Sequence, residues 1–496
     1  MPLPLLIALF LAFGLDPSAR LVAGPMSSGE ALTSTGQVAA GVAAVGLFAF
    51  ALGKVVTYRV VRRGRASSRA RRAYALGVRA VDLLSVVVYG WCIYEVGWPR
   101  VVRSGFKLGD PVLVDDALIL LPFVLAQLAG WWGIYAAERA LRPSRGPVGL
   151  GRYLILKARQ SLGMVLPVAA LYGVGSDLVH RRWPDVSSSP WEQPLSLAMM
   201  GVIVLALAPA FVRLAWPTRS LPPGPLRNRL EHLAHRLGFR CTDILVWDTN
   251  QAVVNAGVTG SLPWFRYVLL TDALVENLGP HEIAAVFGHE IGHIAHRHLW
   301  YFGFFIVGSV AVLAPLGGGV ADPLQRFLPG GAWPNWLVGG TLASELAQAL
   351  VVLPVIGLYF LFVFGFLSRR FERQADVFGC RAVSCGRADC PPHPDLDGGA
   401  AAAPAPEASA LPLCPVGVRI FINALTSVAL LNGMRPSAWS WRHGSILKRI
   451  TFLETLIGRP EAERQFQTEV RRLRRVVAAA LIVAAAALAA AAGWAR

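Results

Sequence analysis

The chain is short of charge, and of acid above all. Only 16% of its 496 residues are Asp, Glu, Lys or Arg, and 30 acidic residues face 47 basic ones, a formal net charge of +17. So little charge beside 54% hydrophobic residues excludes an ordinary soluble protein and points to several membrane spans. The basic excess does not point to nucleic acid. No arginine-rich helix with interleaved aromatics is present to read bases, and the Arg clusters adjoin apolar runs, as cytoplasmic flanks do under the positive-inside rule. Cysteine is sparse too. Four of the six (Cys380, Cys385, Cys390 and Cys414) share one loop without any CxxC pair, which excludes a standard zinc ribbon. Unpaired thiols, disulfides, or a second metal site with His393 stay open as readings of that loop, and a cytoplasmic placement disfavours stable disulfides.

The apolar runs set the expected organisation. Pro2 to Leu15 is apolar but short and lacks the basic start of a signal peptide, so it reads as an uncleaved helix. Spans are expected near 36–59, 79–98, 117–137, 160–178, 195–216, 300–316, 347–367 and 476–492, each near the roughly 20 residues a crossing helix needs. Arg59, Arg62, Arg63 and Arg65 mark one cytoplasmic flank, and counting crossings from there puts 138–159 and the chain after 216 on the same side. The division is then N-terminal transmembrane helices over 1–216, a first soluble part over 217–298, a transmembrane hairpin over 299–368, a second soluble part over 369–475 with an insertion at 380–414, and a C-terminal span over 476–496. Within the first soluble part, Leu226 to Leu237 reads as an amphipathic helix, and Asp243 to Trp247, Ala252 to Val258 and Tyr267 to Leu270 as short strands.

After those strands comes Gly288-His289-Glu290-Ile291-Gly292-His293, a His-Glu-x-x-His motif. Pro280 suits a helix start, and Ile283, Val286, Phe287 and Ile291 form one apolar stripe. On that helix His289 and His293 are one turn apart and point the same way. Two such imidazoles can hold one Zn²⁺ and leave room for a third ligand and a water. Glu290 stands beside the first His, off the line of the pair, where it can take a proton from water without ligating.

Here again absences narrow the choice. A metzincin needs Gly at 296 and His at 299, where this chain has His296 and Leu299. A thermolysin-like site needs a Glu a short helix further on, but no Asp or Glu occurs between His293 and Asp322. Asp322 and Glu345 flank an apolar stretch expected across the membrane. Glu372 and Asp376 are i,i+4 neighbours in Ser368-Arg369-Arg370-Phe371-Glu372-Arg373-Gln374-Ala375-Asp376, on a helix leaving the next span. Glu372 would complete the metal site and Asp376 would accept from a ligand His N–H. The competing reading is a solvated pair among Arg369, Arg370 and Arg373. The competing ligand is His296, which otherwise reads as a surface residue with Arg297 and His298.

Together the two motifs resemble the membrane zinc metalloproteases of the CAAX prenyl protease type 1 and HtpX family, over roughly residues 220–455. That family has His-Glu-x-x-His, a membrane hairpin, then Ser-Arg-x-x-Glu-x-x-Ala-Asp. A third block, His443-Gly444 with Arg449 six positions after the His, resembles the family's His-Pro and Arg-Ile, with Gly444 in place of Pro. Asn255-Ala256 resembles an edge segment that faces substrate. The resemblance implies a mainly α-helical polytopic membrane protein of about 8–9 spans, with a cytoplasmic zincin-like α+β metalloprotease domain carrying a small β-sheet. It implies one Zn²⁺ held by His289, His293 and Glu372, Glu290 as general base, Asp376 behind a ligand His, His443 and Arg449 on the oxyanion, and Asn255 and Ala256 on the substrate. The expected partners are the lipid bilayer and peptide or protein substrates, membrane-associated or misfolded, and not nucleic acid. The expected place is the cell inner or plasma membrane, with the site on the cytoplasmic face. Processing of prenylated CAAX proteins and a scaffold, chaperone or transporter that retains a zinc site are the alternatives.

Overall fold

The computed structural model describes residues 3–9, 11–12, 26–62, 68–106, 114–141, 149–163, 165–183, 192–249, 251, 253–319, 354–355, 357–385 and 413–494. It divides into two units, Met1–Ile203 with Ala210–Trp216, and Val204–Pro209 with Pro217–Arg496.

Helices build the first unit: α1 (Leu3–Leu9), α2 (Ser28–Arg62), α3 (Ser68–Tyr94), α4 (Val114–Leu141), α5 (Leu150–Leu162), α6 (Leu166–Arg182) and most of α7 (Glu192–Ala215). Small residues let two of them touch through their backbones. A Cβ on Gly53 of α2 would strike the Gly133 carbonyl of α4, and a Cβ on Gly133 would lie 2.5 Å from the Phe50 nitrogen. Such small-residue seams hold helices together where apolar side chains gain nothing from leaving lipid. Large apolar side chains point outward instead: Leu47 is 69% exposed, Leu83 65% and Trp132 66%. In water that surface would be a defect, whereas in a bilayer it is the solvated face.

Among the described residues three helices are long and apolar enough to cross a membrane, Ser28–Arg59, Ala73–Tyr94 and Val114–Leu141. A fourth span exists if Leu150–Leu162 and Leu166–Val179, bent by 52° at their break, count as one. Expected spans at 36–59, 79–98 and 117–137 fall on the first three. The expected span at 160–178 falls across the break, where Pro167 opens the second helix. The loop between the expected hairpin spans, with Asp322 and Glu345, lies outside the described residues.

The second unit holds a four-stranded sheet in the order β1-β2-β4-β3, made of β1 (Thr218–Ser220), β2 (Asp243–Trp247), β3 (Ala256–Thr259) and β4 (Tyr267–Thr271). β2 and β4 are parallel, and β1 and β3 are antiparallel to their neighbours. All five β4 residues are buried, whereas every β3 residue is half-buried, as an edge strand should be. The expected strand from 252 starts four residues later. Val254 does not join the sheet: its N–H and C=O pair with the Asn432 side chain at 3.0 and 2.8 Å, and Ala252 lies outside the described residues.

Against the sheet pack α8 (Pro225–Arg236), which buries Leu230 and Leu233, and α10 (Pro280–Ala295), reached through α9 (Asp272–Asn277). The remaining helices are α11 (His298–Gly319), α12 (Gly365–Ala382), α13 (Pro415–Leu431), α14 (Ile446–Leu456) and α15 (Pro460–Trp494). The α10 stripe is buried as its spacing requires, with Ile283, Phe287 and Ile291 each at most 2% exposed. Glu282 caps the start of α10 by accepting the Gly279 N–H at 2.9 Å.

Candidate active site

Two helices bring the site together because their facing residues are small. A Cβ on Gly292 of α10 would come within 3.1 Å of the Ala375 Cα, and one on Gly379 of α12 within 2.9 Å of the Ala285 carbonyl. At that separation the residues of α12 facing α10 include Glu372 and Asp376, and both are buried, Asp376 completely. A solvated pair is thereby replaced by two carboxylates in the interior, where charge survives only with partners.

The partners are present. His293 Nε2 lies 3.8 Å from Glu372 Oε1, His289 Nε2 lies 3.8 Å from Glu372 Oε2, and the two Nε2 atoms are 3.3 Å apart. These three residues each offer one ligand atom, all within 4.8 Å of one another. Two imidazole nitrogens and one carboxylate oxygen, mostly buried, are a donor set that fits a divalent zinc and leaves a position open. His296 does not join them. It caps the end of α10, half-buried, stacked on His298 with ring centres 5.6 Å apart.

Around the trio the charges interlock. Asp376 Oδ1 lies 3.0 Å from His289 Nδ1, within ion-pair range although not aligned as a hydrogen bond. Arg449 of α14, itself buried, grips Asp376 with Nη2 and, at 2.8 Å, Nε, and its Nη1 stands 3.4 Å from Glu372 Oε2. His443 Nδ1 lies 3.0 Å from Glu372 Oε1, its side chain half-exposed. Phe421 stacks on the His289 ring at 5.8 Å.

The electrostatics follow. Burial pushes the Glu372 carboxyl up, but His443, Arg449 and His289 outweigh it and hold the pKa well below the usual range. For Asp376 burial is likewise outweighed by Arg449 and His289, and the pKa is lowered. Burial, with His289 beside it, lowers His293 to about 4, so the ring is neutral, as a metal ligand must be. Glu290 is the exception. Burial dominates and raises its pKa, which makes it a stronger base than a free carboxylate.

Three features differ from what the motifs alone suggest. Gly444 has φ +74°, a left-handed conformation that proline, fixed near −65°, cannot adopt. The Gly-for-Pro departure is thus built into the turn, whose ends pair through Gly444 N–H to the Ser440 carbonyl at 2.8 Å. Arg449 has Nε and Nη2 committed to Asp376, which suits holding carboxylates better than reaching an oxyanion. And His298, expected on the surface, is 1% exposed, lying face to face on Phe371 with ring centres 4.2 Å apart. Asn255 and Ala256 sit where the chain enters β3. The Asn255 N–H donates to Thr271 Oγ1 at 2.9 Å and its carbonyl accepts the Thr271 N–H at 3.0 Å, while the side chain is exposed. Asn432 went unnoticed in the sequence, and His298 and Gln374 were given no role there. Asn432 had one signal, its place just before Gly433 at a helix end.

Comparison with known proteins points the same way as the motifs. The description of Peptidase family M48 matches residues 221–456. That segment is similar to M48 peptidases. Relatives include the CAAX prenyl protease 1 homolog of Arabidopsis thaliana, 31% identical over 193 residues, which cover 38% of this chain and 42% of that protein. The Protease HtpX homolog of Aeropyrum pernix is 30% identical over 135 residues, 25% of this chain and 41% of that protein. The chain thus spans about two fifths of the length of these M48-type relatives. The crystal structure of S. mikatae Ste24p matches 83% of this chain and 98% of its own, at 17% identity and a TM-score of 0.49.

Proposed function

We propose that the protein is an integral-membrane zinc endopeptidase, one Zn²⁺ per chain, that hydrolyses peptide bonds of membrane-associated or misfolded proteins on the cytoplasmic face of the inner or plasma membrane. The observation that carries this is the trio of buried His289 and Glu372 with half-buried His293, and a raised-pKa Glu290 beside it. A zinc held by the trio would supply Lewis acidity toward a peptide carbonyl and toward water. Glu290 takes the proton of the attacking water and passes it to the leaving amine, the task its raised pKa suits. His443, half-exposed beside Glu372, donates to the oxygen that becomes negative. Arg449 keeps Asp376 and Glu372 ionised and in place, and Asp376 orients His289.

Substrate would enter as an extended peptide along the open edge of β3. Main-chain pairing there demands little of sequence, and Asn255 and Ala256 would align the scissile bond. The M48 match and the HtpX-named relative support this reading, and the basic flanks of the apolar runs support the cytoplasmic face. A second reading, processing of prenylated CAAX proteins, is favoured by the name of the Arabidopsis relative. Purified Glu290→Gln should keep its metal and lose cleavage of casein by about 100-fold or more, the share general base catalysis supplies. Equal cleavage by Glu290→Gln would remove Glu290 from the mechanism. Cleavage of a farnesylated CAAX peptide but not of casein would move the reading to prenyl-protein processing. Bound zinc with neither peptide cleaved would favour a scaffold.

A further inference from the structure

We infer that His298, Gln374 and Gln467 form a hydrogen-bond relay that holds the His293 ring in the tautomer whose Nε2 lone pair faces the metal position. The inference rests on the proposed metal site and adds three positioning residues to it.

The relay starts at an unusual turn. Arg297, at φ +57°, is one of two non-glycine residues with positive φ among those described. It ends α10 and swings the chain so that His298, the first residue of α11, folds back under the site. His298 Nδ1 then lies 3.0 Å from His293 Nδ1, and its Nε2 lies 3.0 Å from Gln374 Oε1. Gln374 Nε2 donates in turn to Gln467 Oε1, on α15. His298 and Gln374 are both buried, at 1% and 3% exposure, so the links are not traded with bulk water.

The direction of donation is the argument. A neutral imidazole has one N–H and one lone pair. A metal on His293 Nε2 requires the proton on Nδ1, so Nδ1–H must donate and His298 Nδ1 must accept. The proton of His298 then sits on Nε2, which needs an acceptor and faces the Gln374 carbonyl oxygen. Gln374 Nε2 is left to donate, and it faces the Gln467 carbonyl oxygen. All four groups agree on one direction. Turning both amides over would reverse every link, place the proton on His293 Nε2 and close that nitrogen to a metal. Gln467 therefore acts on His293 through two intermediates, although it stands on the helix that carries the C-terminal apolar run.

The test is zinc affinity of the detergent-purified full chain, read by competition with a chromogenic chelator, beside its unfolding temperature. His298→Phe keeps the ring on Phe371 and removes the acceptor. It should weaken zinc binding by about 10–100-fold, the usual cost of losing an outer partner of a ligand histidine. His298→Asn places an amide oxygen near the lost Nδ1 and should recover much of that affinity. A packing role predicts the reverse order, with His298→Phe the tighter binder, and that order overturns the relay. Should His298→Phe fail to fold, the distal pair decides: Gln467→Glu keeps an acceptor for Gln374 and should bind zinc more tightly than Gln467→Leu. Equal affinity of those two overturns the relay. Zinc bound by wild type, lost in Glu372→Ala and unchanged in every relay variant sinks the relay alone, whereas a wild type that binds no zinc sinks the metal site with it.

Discussion

The two units of the protein are held together by opposite means. In the first, helices meet through glycine and alanine and turn large apolar side chains outward, as at Gly53 and Gly133. In the second, the sheet and the helices packed on it turn apolar side chains inward and their interior also contains charge: Glu372, Asp376 and Arg449 are all at most 8% exposed. The first arrangement asks little of its outward apolar side chains, since lipid accepts what the helices do not bury, and it holds charge in clusters such as Glu138 with Tyr74, Tyr153 and Lys157. The second is unforgiving, since each buried charge depends on a named neighbour. The perturbed Glu290 and the buried carboxylates that face the histidines of α10 belong to the second.

Breaking one buried partner tests that contrast hardest. Arg449→Met leaves Asp376 and Glu372 without their cation and should cost about 3–5 kcal/mol, the penalty of an orphaned buried charge. It would be measured as the fall in denaturant midpoint of the chain stripped of metal. A loss under about 1 kcal/mol would mean that the carboxylates are hydrated, as in an ordinary surface pair.

A smaller effect, with a pH signature, belongs to Asp272. Its burial works to raise the pKa, but the Thr249 hydroxyl, the Gln251 N–H at 2.8 Å and the Thr249 N–H at 3.0 Å outweigh it, and the pKa is lowered. A carboxyl whose folded pKa lies below its unfolded value near 3.9 stabilises fully above pH ~4 and loses that contribution as pH falls through the folded value. Asp272→Asn should therefore cost about 1.5–3 kcal/mol at neutral pH. The gap to wild type should narrow in melts as pH falls below ~4, and a gap independent of pH would refute the ionic account.

In the first unit the comparable experiment is steric. Gly133→Leu drives a side chain into the α2 backbone and should cost about 1–3 kcal/mol, the range for overpacked interiors. An unchanged melting temperature in detergent would show that the α2–α4 seam does not bear on stability.

The same contrast explains what the sequence could disclose. The cluster of His289, His293 and Glu372 was legible because the helical repeat turns i,i+4 spacing into proximity, for His289 with His293 and for Glu372 with Asp376. Gly292 and Gly379 made the two helices meet, and they sit within or beside those motifs. The relay through His298 was not legible. It depends on a left-handed Arg297, where residue type gave no warning, and on Gln467, 93 residues beyond Gln374. Asn432 left only its place at a helix end as a signal, because a side chain that pairs with a distant backbone leaves no period. In the first unit composition announced helices in a membrane and placed three of them well, but the 52° break after Leu162 was not legible, since Arg152, Lys157 and Arg159 make the half before it read as a basic loop. Of the cysteine cluster, Cys380 and Cys414 are buried, Cys414 Sγ accepting the Gly417 N–H at 3.1 Å, while Cys390 and His393 lie outside the described residues.

The most direct test of the central claim is the metal content of the detergent-purified chain beside Glu372→Ala. The account predicts about one zinc per wild-type chain, held against dialysis, and loss of that zinc together with casein cleavage in the variant. Zinc retained by Glu372→Ala would contradict it, because the third ligand would then lie elsewhere, and a wild type without zinc would contradict it outright.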